Sequence, residues 1–178
     1  MNLKLRKFLD DVTKSKPVSR HRALVEDRRS EYMHSIFAVE SKVDVDTYTC
    51  AVHAFDLIED PTYLKIANYN IRGTFAGKKF VKYVLENKLL TALPKTSQGL
   101  SDLIIYFKNN EFKHIGKVNS GNRIISKWGR GLLWKHDIWE VPERYGNEKR
   151  FYALPSTCTG LDMFCEYAET RRFHHKLW

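Results

Sequence analysis

Apolar residues recur at helical spacing through the first half of the chain and at period two through the second. Residues 1–18 are polar and basic, closed by Pro17, and read as an arm or a short, loosely held helix. From Ser19, a good N-cap, an amphipathic helix is expected, with Leu24, Met33, Ile36 and Phe37 among its apolar positions. Lys42 to Tyr48 is an Asp-rich connection, after which Asp46 or Thr49 caps a short apolar helix, Cys50 to Ile58, stopped at Asp60-Pro61. A third helix is expected over Phe75 to Asn87, with Phe80, Val81, Val84 and Leu85 on one side, and Pro94 and Gly99 punctuate the segment after it.

The pattern then changes. Asp102 to Phe107 is a strand, Asn109-Asn110 its turn, Phe112 to Val118 a second strand, Asn119 to Asn122 a second turn, and Arg123 to Trp128 a third strand. Gly129 and Gly131 break it; Trp134, Trp139 and Val141 suggest a further extended piece, Arg150 to Leu154 a last strand, and Leu161 to Phe173 a closing helix. Helices first and an antiparallel meander after them is the α+β layout. The chain divides on this reading into a basic helical extension, 1–40, and an α+β domain with a C-terminal helix, 41–178.

Composition narrows the class. Apolar residues at 43% and charged residues at 29% describe a globular chain and exclude wholesale disorder. The longest apolar run, Leu103 to Phe107, is far too short to span a bilayer, and Met1 to Lys7 lacks the apolar stretch of a secretory signal. A cytoplasmic protein without membrane contact is therefore expected. Cys50, Cys158 and Cys165 are too few for a disulfide framework, which suits a reducing compartment and leaves room for a reactive thiol. The net charge is 30 − 21 = +9, and residues 1–30, with nine Lys/Arg and four Asp/Glu, carry +5 of it. Such a balance raises the expectation of a polyanion or protein partner at the N-terminal segment. Arg20, Arg22, Arg28 and Arg29 read either as the solvated side of an amphipathic helix or as nucleic-acid-binding cations tracking a phosphate backbone.

Two residues carry the candidate chemistry. Cys50 stands at a helix start, where backbone amides favour a thiolate and could hold an oxyanion; its other reading is a small buried hydrophobe. His114, in the strand His114-Ile115-Gly116-Lys117-Val118, suits a general base held by its sheet, with Gly116 leaving space beside it on the same face. His53, one turn from Cys50, competes less well, because adjacent turns rarely give nucleophile–base geometry. A metal site from Cys50, His53, His174 and His175 is weaker still, as no paired ligand spacing supports it. Trp128, Trp134 and Trp139 with Lys127, Gly129 and Gly131 either line a substrate groove or cover the sheet and make its turns.

Thr49-Cys50-Ala51-Val52, then Asp102-Leu103-Ile104-Ile105-Tyr106-Phe107, a turn and His114-Ile115-Gly116-Lys117-Val118 resemble the NlpC-type branch of the papain-like cysteine peptidases and amidases. The resemblance covers roughly residues 46–128, with Cys and His 114 − 50 = 64 residues apart. It implies a papain-like core in which Cys50 is the nucleophile, His114 the base and Ser126, or alternatively His136, the residue orienting the imidazole. Tyr48 would lie near the oxyanion, with Lys127, Trp128 and Trp134 along the substrate. The chain departs from the family in Ser101-Asp102 for Gly-Asp, in Thr-Cys-Ala-Val for Asp-Cys-Ser-Gly, and in Ser126 where His, Asn or Gln is usual. A divergent or inactive member is implied. The implied reaction is hydrolysis or transfer at an amide or ester without a cofactor. Cell-wall peptides, the family's usual substrates, would require delivery by another route, as for an effector or phage product. The competing expectation is a basic nucleic-acid-binding or interaction domain with a structural cysteine.

Overall fold

The computed structural model describes residues 1–69, 74–94, 102–153 and 159–174. Gly99, Ser101, Leu154, Cys158 and His175 lie outside the described residues. Helix α1 (Leu3–Ser15) starts at Asn2, whose side chain accepts from the Leu5 amide. Leu5, Leu9 and Val12 fall on one stripe and are buried, so residues 1–18 are a packed helix and not a loose arm. Arg6, on the same stripe, is buried as well and donates to the carbonyls of Val141, at 3.0 Å, Pro142 and Gly146. Nor are residues 1–40 an appendage, because they supply one side of the core.

The helix expected from Ser19 through Phe37 is broken. Pro17 stands at the N-cap of α2 (Val18–Asp27); α3 (Arg29–Tyr32) comes next and ends at Met33, which takes a left-handed φ of 51° and is 90% exposed. Phe37 then opens strand β1 (Phe37–Val39). The left-handed residue turns the chain, and it puts Met33 outside the apolar stripe to which its chemistry seemed to assign it.

Helix α4 (Cys50–Ala54) is capped by Thr49, whose Oγ1 accepts from the Val52 amide at 3.2 Å. It is shorter than expected, since the chain reverses at Asp56, with φ 58°. Asp60-Pro61, expected only as a stop, is also a start: Asp60 caps α5 (Pro61–Tyr69) by accepting from the Tyr63 amide. Helix α6 (Lys78–Glu86) buries Phe80, Val81 and Val84, as its periodicity predicts.

Strands β2 (Thr91–Leu93), β3 (Leu103–Lys108), β4 (Glu111–Asn119), β5 (Arg123–Lys127), β6 (Leu133–His136) and β7 (Glu148–Ala153) join β1 in one antiparallel sheet, and α7 (Gly160–His174) closes the fold. The order is β1-β6-β5-β4-β3-β7-β2. The β3–β4–β5–β6 meander stands as expected, its first turn formed by Asn109 and Asn110, both at positive φ. Two findings change the picture. The extended piece stops at His136, leaving Trp139 and Val141 beyond β6. β7 returns to pair with β3, and among the described residues β2 pairs only with β7.

The sheet is covered on both faces. Leu103, Ile105, Phe107 and Ile115 meet residues of α4, α6 and α7, including Val52, Phe80 and Phe164. Ile104, Tyr106, Val118, Ile124, Trp128 and Trp134 meet Leu5, Leu9, Val12 and Val25 of α1 and α2. Strand alternation therefore sorts these side chains to the α4 face or the α1 face, interrupted by a bulge in β4 that puts Phe112 and His114, two residues apart, on opposite sides. No helix among the described residues is long and apolar enough to cross a membrane.

Candidate thiol site

Cys50 is the first residue of α4, and Thr49 aims that end of the helix by donating its hydroxyl to the Ala76 carbonyl. The half-buried cysteine packs with the α4-face cluster, its sulfur against the backbone of Ile115 in β4 and the amides of Ala51 and Cys50 itself. Burial pushes the thiol above its ordinary pKa; those backbone groups and the positive charge of Lys127 pull the other way without cancelling it. The resting group is a thiol, not a preformed thiolate.

Lys127 ends β5 beside that sulfur. Its Nζ donates to the carbonyls of Gly129 at 2.8 Å and Gly131 at 3.0 Å and lies 5.0 Å from the centre of the Tyr48 ring. Burial lowers its pKa to about 8, so the ammonium still carries its charge at neutral pH in most molecules. Tyr48 is buried with its hydroxyl paired to Ser41 Oγ at 3.0 Å. It thus serves Lys127 as a platform, and the oxyanion role expected for it has no free hydroxyl.

His114 is buried in β4 opposite Tyr106. Its ring is stacked on Tyr145 at 3.9 Å and 12°, on the α1 face, and its Nε2 has no hydrogen-bond partner among the described residues. Burial, then repulsion from any positive charge on the neighbouring His136, Arg144, His53 and Lys127, holds it well below the usual imidazole range, so the ring is neutral. Cys50 and His114 therefore lie on opposite faces of the sheet: the sulfur packs against the backbone of Ile115 from the α4 side while the imidazole stacks on Tyr145 on the α1 side, and the fold does not bring the expected pair together. No hydrogen bond joins the two side chains among the described residues.

The expected orienting residues form a separate chain. His136 donates Nδ1–H to the Asp137 carbonyl at 2.8 Å, which leaves Nε2 to accept from the Ser126 hydroxyl at 2.8 Å. Ser126 accepts in turn from Trp128 Nε1 at 3.0 Å. His136 is neutral, lowered by burial to about 4. Ser126 and His136 are therefore satisfied by each other, and stacking on Tyr145 holds His114 instead. No motif marks Tyr145, so sequence reasoning missed it. The space expected beside Gly116 is also filled, for a Cβ there would stand 2.8 Å from Ser126 Cβ and 2.9 Å from Ile124 Cγ2.

Trp128 and Trp134 do not line a groove. Both are fully buried and stacked on each other, with centroids 5.2 Å apart, in the α1-face core. Of the four arginines, Arg22 pairs with Glu26 at 3.1 Å, Arg28 pairs with Glu31, and Arg29 donates to the Ile36 carbonyl. That arrangement matches the solvated side of a helix, where exposed pairs neutralise one another. His53 points a buried, unpartnered Nε2 beside Cys50's helix and is neutral, lowered by burial to about 4. No group of three or more His, Cys, Asp or Glu among the described residues could hold a metal ion. Compared with known proteins, the chain matches no family model, no curated protein and no solved structure.

Proposed function

We propose that the protein is a thiol-dependent acyl transferase or hydrolase with Cys50 as nucleophile. The observation that supports this reading best is the placing of the thiol. It sits at a capped helix start, one turn before His53, whose neutral ring has no partner for Nε2 among the described residues, and beside a cation that would stabilise a developing thiolate. Because Cys50 rests as a thiol and His53, one turn on in α4, as a neutral base, the first step is general-base catalysis and not attack by a standing ion pair. The Cys50 proton passes to His53 as sulfur bonds the substrate carbonyl carbon. The amides of Cys50 and Ala51 face the oxyanion, and collapse expels the amine or alcohol, which takes the proton from imidazolium. Water then cleaves the thioester, or a second nucleophile accepts the acyl group.

His114 faces the other side of the sheet and takes no proton in this mechanism; its stack on Tyr145 holds β4 behind the thiol. A groove of about 540 Å³ beside Tyr48 and His53 offers room for an acyl substrate. Labelling with an electrophilic carbonyl probe tests the reading. Wild type should form a thioester or thioether adduct at Cys50, Cys50→Ala should form none, and His53→Gln should slow labelling about a hundredfold or more while His114→Gln does not. Equal labelling of Cys50→Ala would overturn the proposal, and unchanged labelling of His53→Gln would remove His53 as the base.

A further inference from the structure

A second concavity shares no residue with the thiol site. A groove of about 620 Å³ runs along the part of the α4 face that α6 leaves open, over the outer strands β3, β7 and β2. That volume is in the range of small-molecule sites. Its floor is apolar: Val84, Leu90, Phe107, Phe112 and Tyr152 line it. Register explains the opening. Ala92 pairs with Tyr152, which pairs with Leu103, so all three project to this face, and the small, exposed Ala92 leaves the groove open at the Tyr152 end, four residues along β3 from Phe107.

The rim is cationic. Lys78, Lys82, Lys88 and Arg150 line the groove against two carboxylates, Glu86 and Glu111. Both carboxylates are already engaged, Glu86 with Lys82 at 3.5 Å and Glu111 with Lys113, from outside the groove, at 2.7 Å. Lys78 and Lys88 make no ion pair among the described residues and are exposed. Arg150 is held in place, its guanidinium 4.5 Å from the centre of the Phe107 ring and bonded to Asn110 Oδ1 at 2.8 Å. Arg150 also pairs with Glu148 at 3.7 Å, and Lys78 lies within electrostatic reach of Glu111, yet the lining holds four cations against two carboxylates. An apolar floor below a rim with excess positive charge complements one chemistry, an apolar body with a single anionic head.

We propose that this groove binds a small amphipathic anion of the fatty-carboxylate type, with its chain along Phe107, Leu90 and Tyr152 and its carboxylate at the lysine rim. Opposite charge at a water-exposed rim adds modest energy and fixes orientation, while burial of the chain supplies most of the affinity. Dodecanoate, kept below its micelle concentration and titrated into the full chain, is the test, read by calorimetry and by backbone amide shifts. Saturable one-to-one binding is expected, with the largest shifts at Ala92, Phe112 and Tyr152. Lys78→Glu combined with Lys88→Glu should weaken it about tenfold or more, a loss of about 1.4 kcal/mol or greater. Ala92→Trp, filling the groove from an exposed position, should abolish it without lowering the thermal midpoint. Dodecyltrimethylammonium, the same chain with a cationic head, should bind about tenfold or more weakly than dodecanoate. Absence of saturation, equal binding of the cationic chain, or shifts centred elsewhere would overturn the proposal. If Ala92→Trp fails to fold, the double lysine variant decides. None of these readouts depends on the thiol chemistry.

Discussion

The imidazole of His114 exchanges hydrogen bonding for stacking, and that exchange sets its chemistry. With Tyr145 flat against it and Nε2 unpartnered, the ring is kept neutral by its apolar surroundings. Replacing Tyr145 by Leu removes the stack and admits water. Urea unfolding should show a loss of about 2–4 kcal/mol, and the His114 imidazole resonances should titrate closer to the ordinary range. Gly116 tests the neighbouring contact. A methyl there meets Ser126 Cβ at 2.8 Å, Ile124 Cγ2 at 2.9 Å and the Ile125 carbonyl at 3.0 Å, so Gly116→Ala should cost about 1–3 kcal/mol in the same measurement. Residues whose role depends on local chain geometry were legible: Thr49 caps, and Cys50 begins a helix. Roles that depend on distant partners were not. Nothing near Ser126 announces that its hydroxyl is committed to His136 and Trp128, and nothing near Tyr48 announces Ser41.

At the scale of elements, α1 carries the most consequential difference from expectation. Its apolar positions, Leu5, Leu9 and Val12, are separated by lysines and aspartates that dominate the composition and mask the stripe. Removal of residues 1–16 would be harmless to an arm, but here it exposes Ile104, Val118 and Ile124 on the α1 face. The truncated chain should lose dispersed amide resonances and aggregate. A subtler test is Arg6→Met, which keeps the length but leaves the Val141, Pro142 and Gly146 carbonyls without their donor; a loss of about 2–4 kcal/mol is expected on urea unfolding. The meander was legible because period two and the asparagine turn act over a few residues. β1 and β2, three residues each, carry too short a period to register and exist only through their partners β6 and β7.

The molecule as a whole buries several histidines in the uncharged state. His53 and His136 titrate at about 4 in the fold, and His34 and His114 are lowered as well, burial being the largest cause in each. In the unfolded chain an imidazole titrates near about 6.5. Between these values the unfolded state binds more protons, so the stability conferred by keeping the rings neutral is complete above about pH 6.5 and is lost on acidification toward about pH 4. Each such histidine should contribute a slope of up to about 1.4 kcal/mol per pH unit in that window. Urea midpoints at pH 7 and pH 5 measure it, and His136→Gln should flatten the dependence; a midpoint that rises on acidification would contradict the burial described. The basic charge, by contrast, forms local pairs along α2 and α3 and leaves its clearest uncompensated excess over the groove beside α6.

The place of β7 has a temporal consequence. A strand at the outer edge, β2, leaves synthesis 151 − 93 = 58 residues before β7, the strand that holds it, because among the described residues 91–93 pair with 151–153 and with no other strand. During translation the nascent chain can assemble β3 to β6 early, while Thr91–Leu93 waits without a hydrogen-bonding partner until the far end emerges. A ribosome-stalled chain cut before Glu148 and followed by a flexible linker long enough to clear the exit tunnel should therefore protect the β4 and β5 amides against exchange and leave those of β2 open.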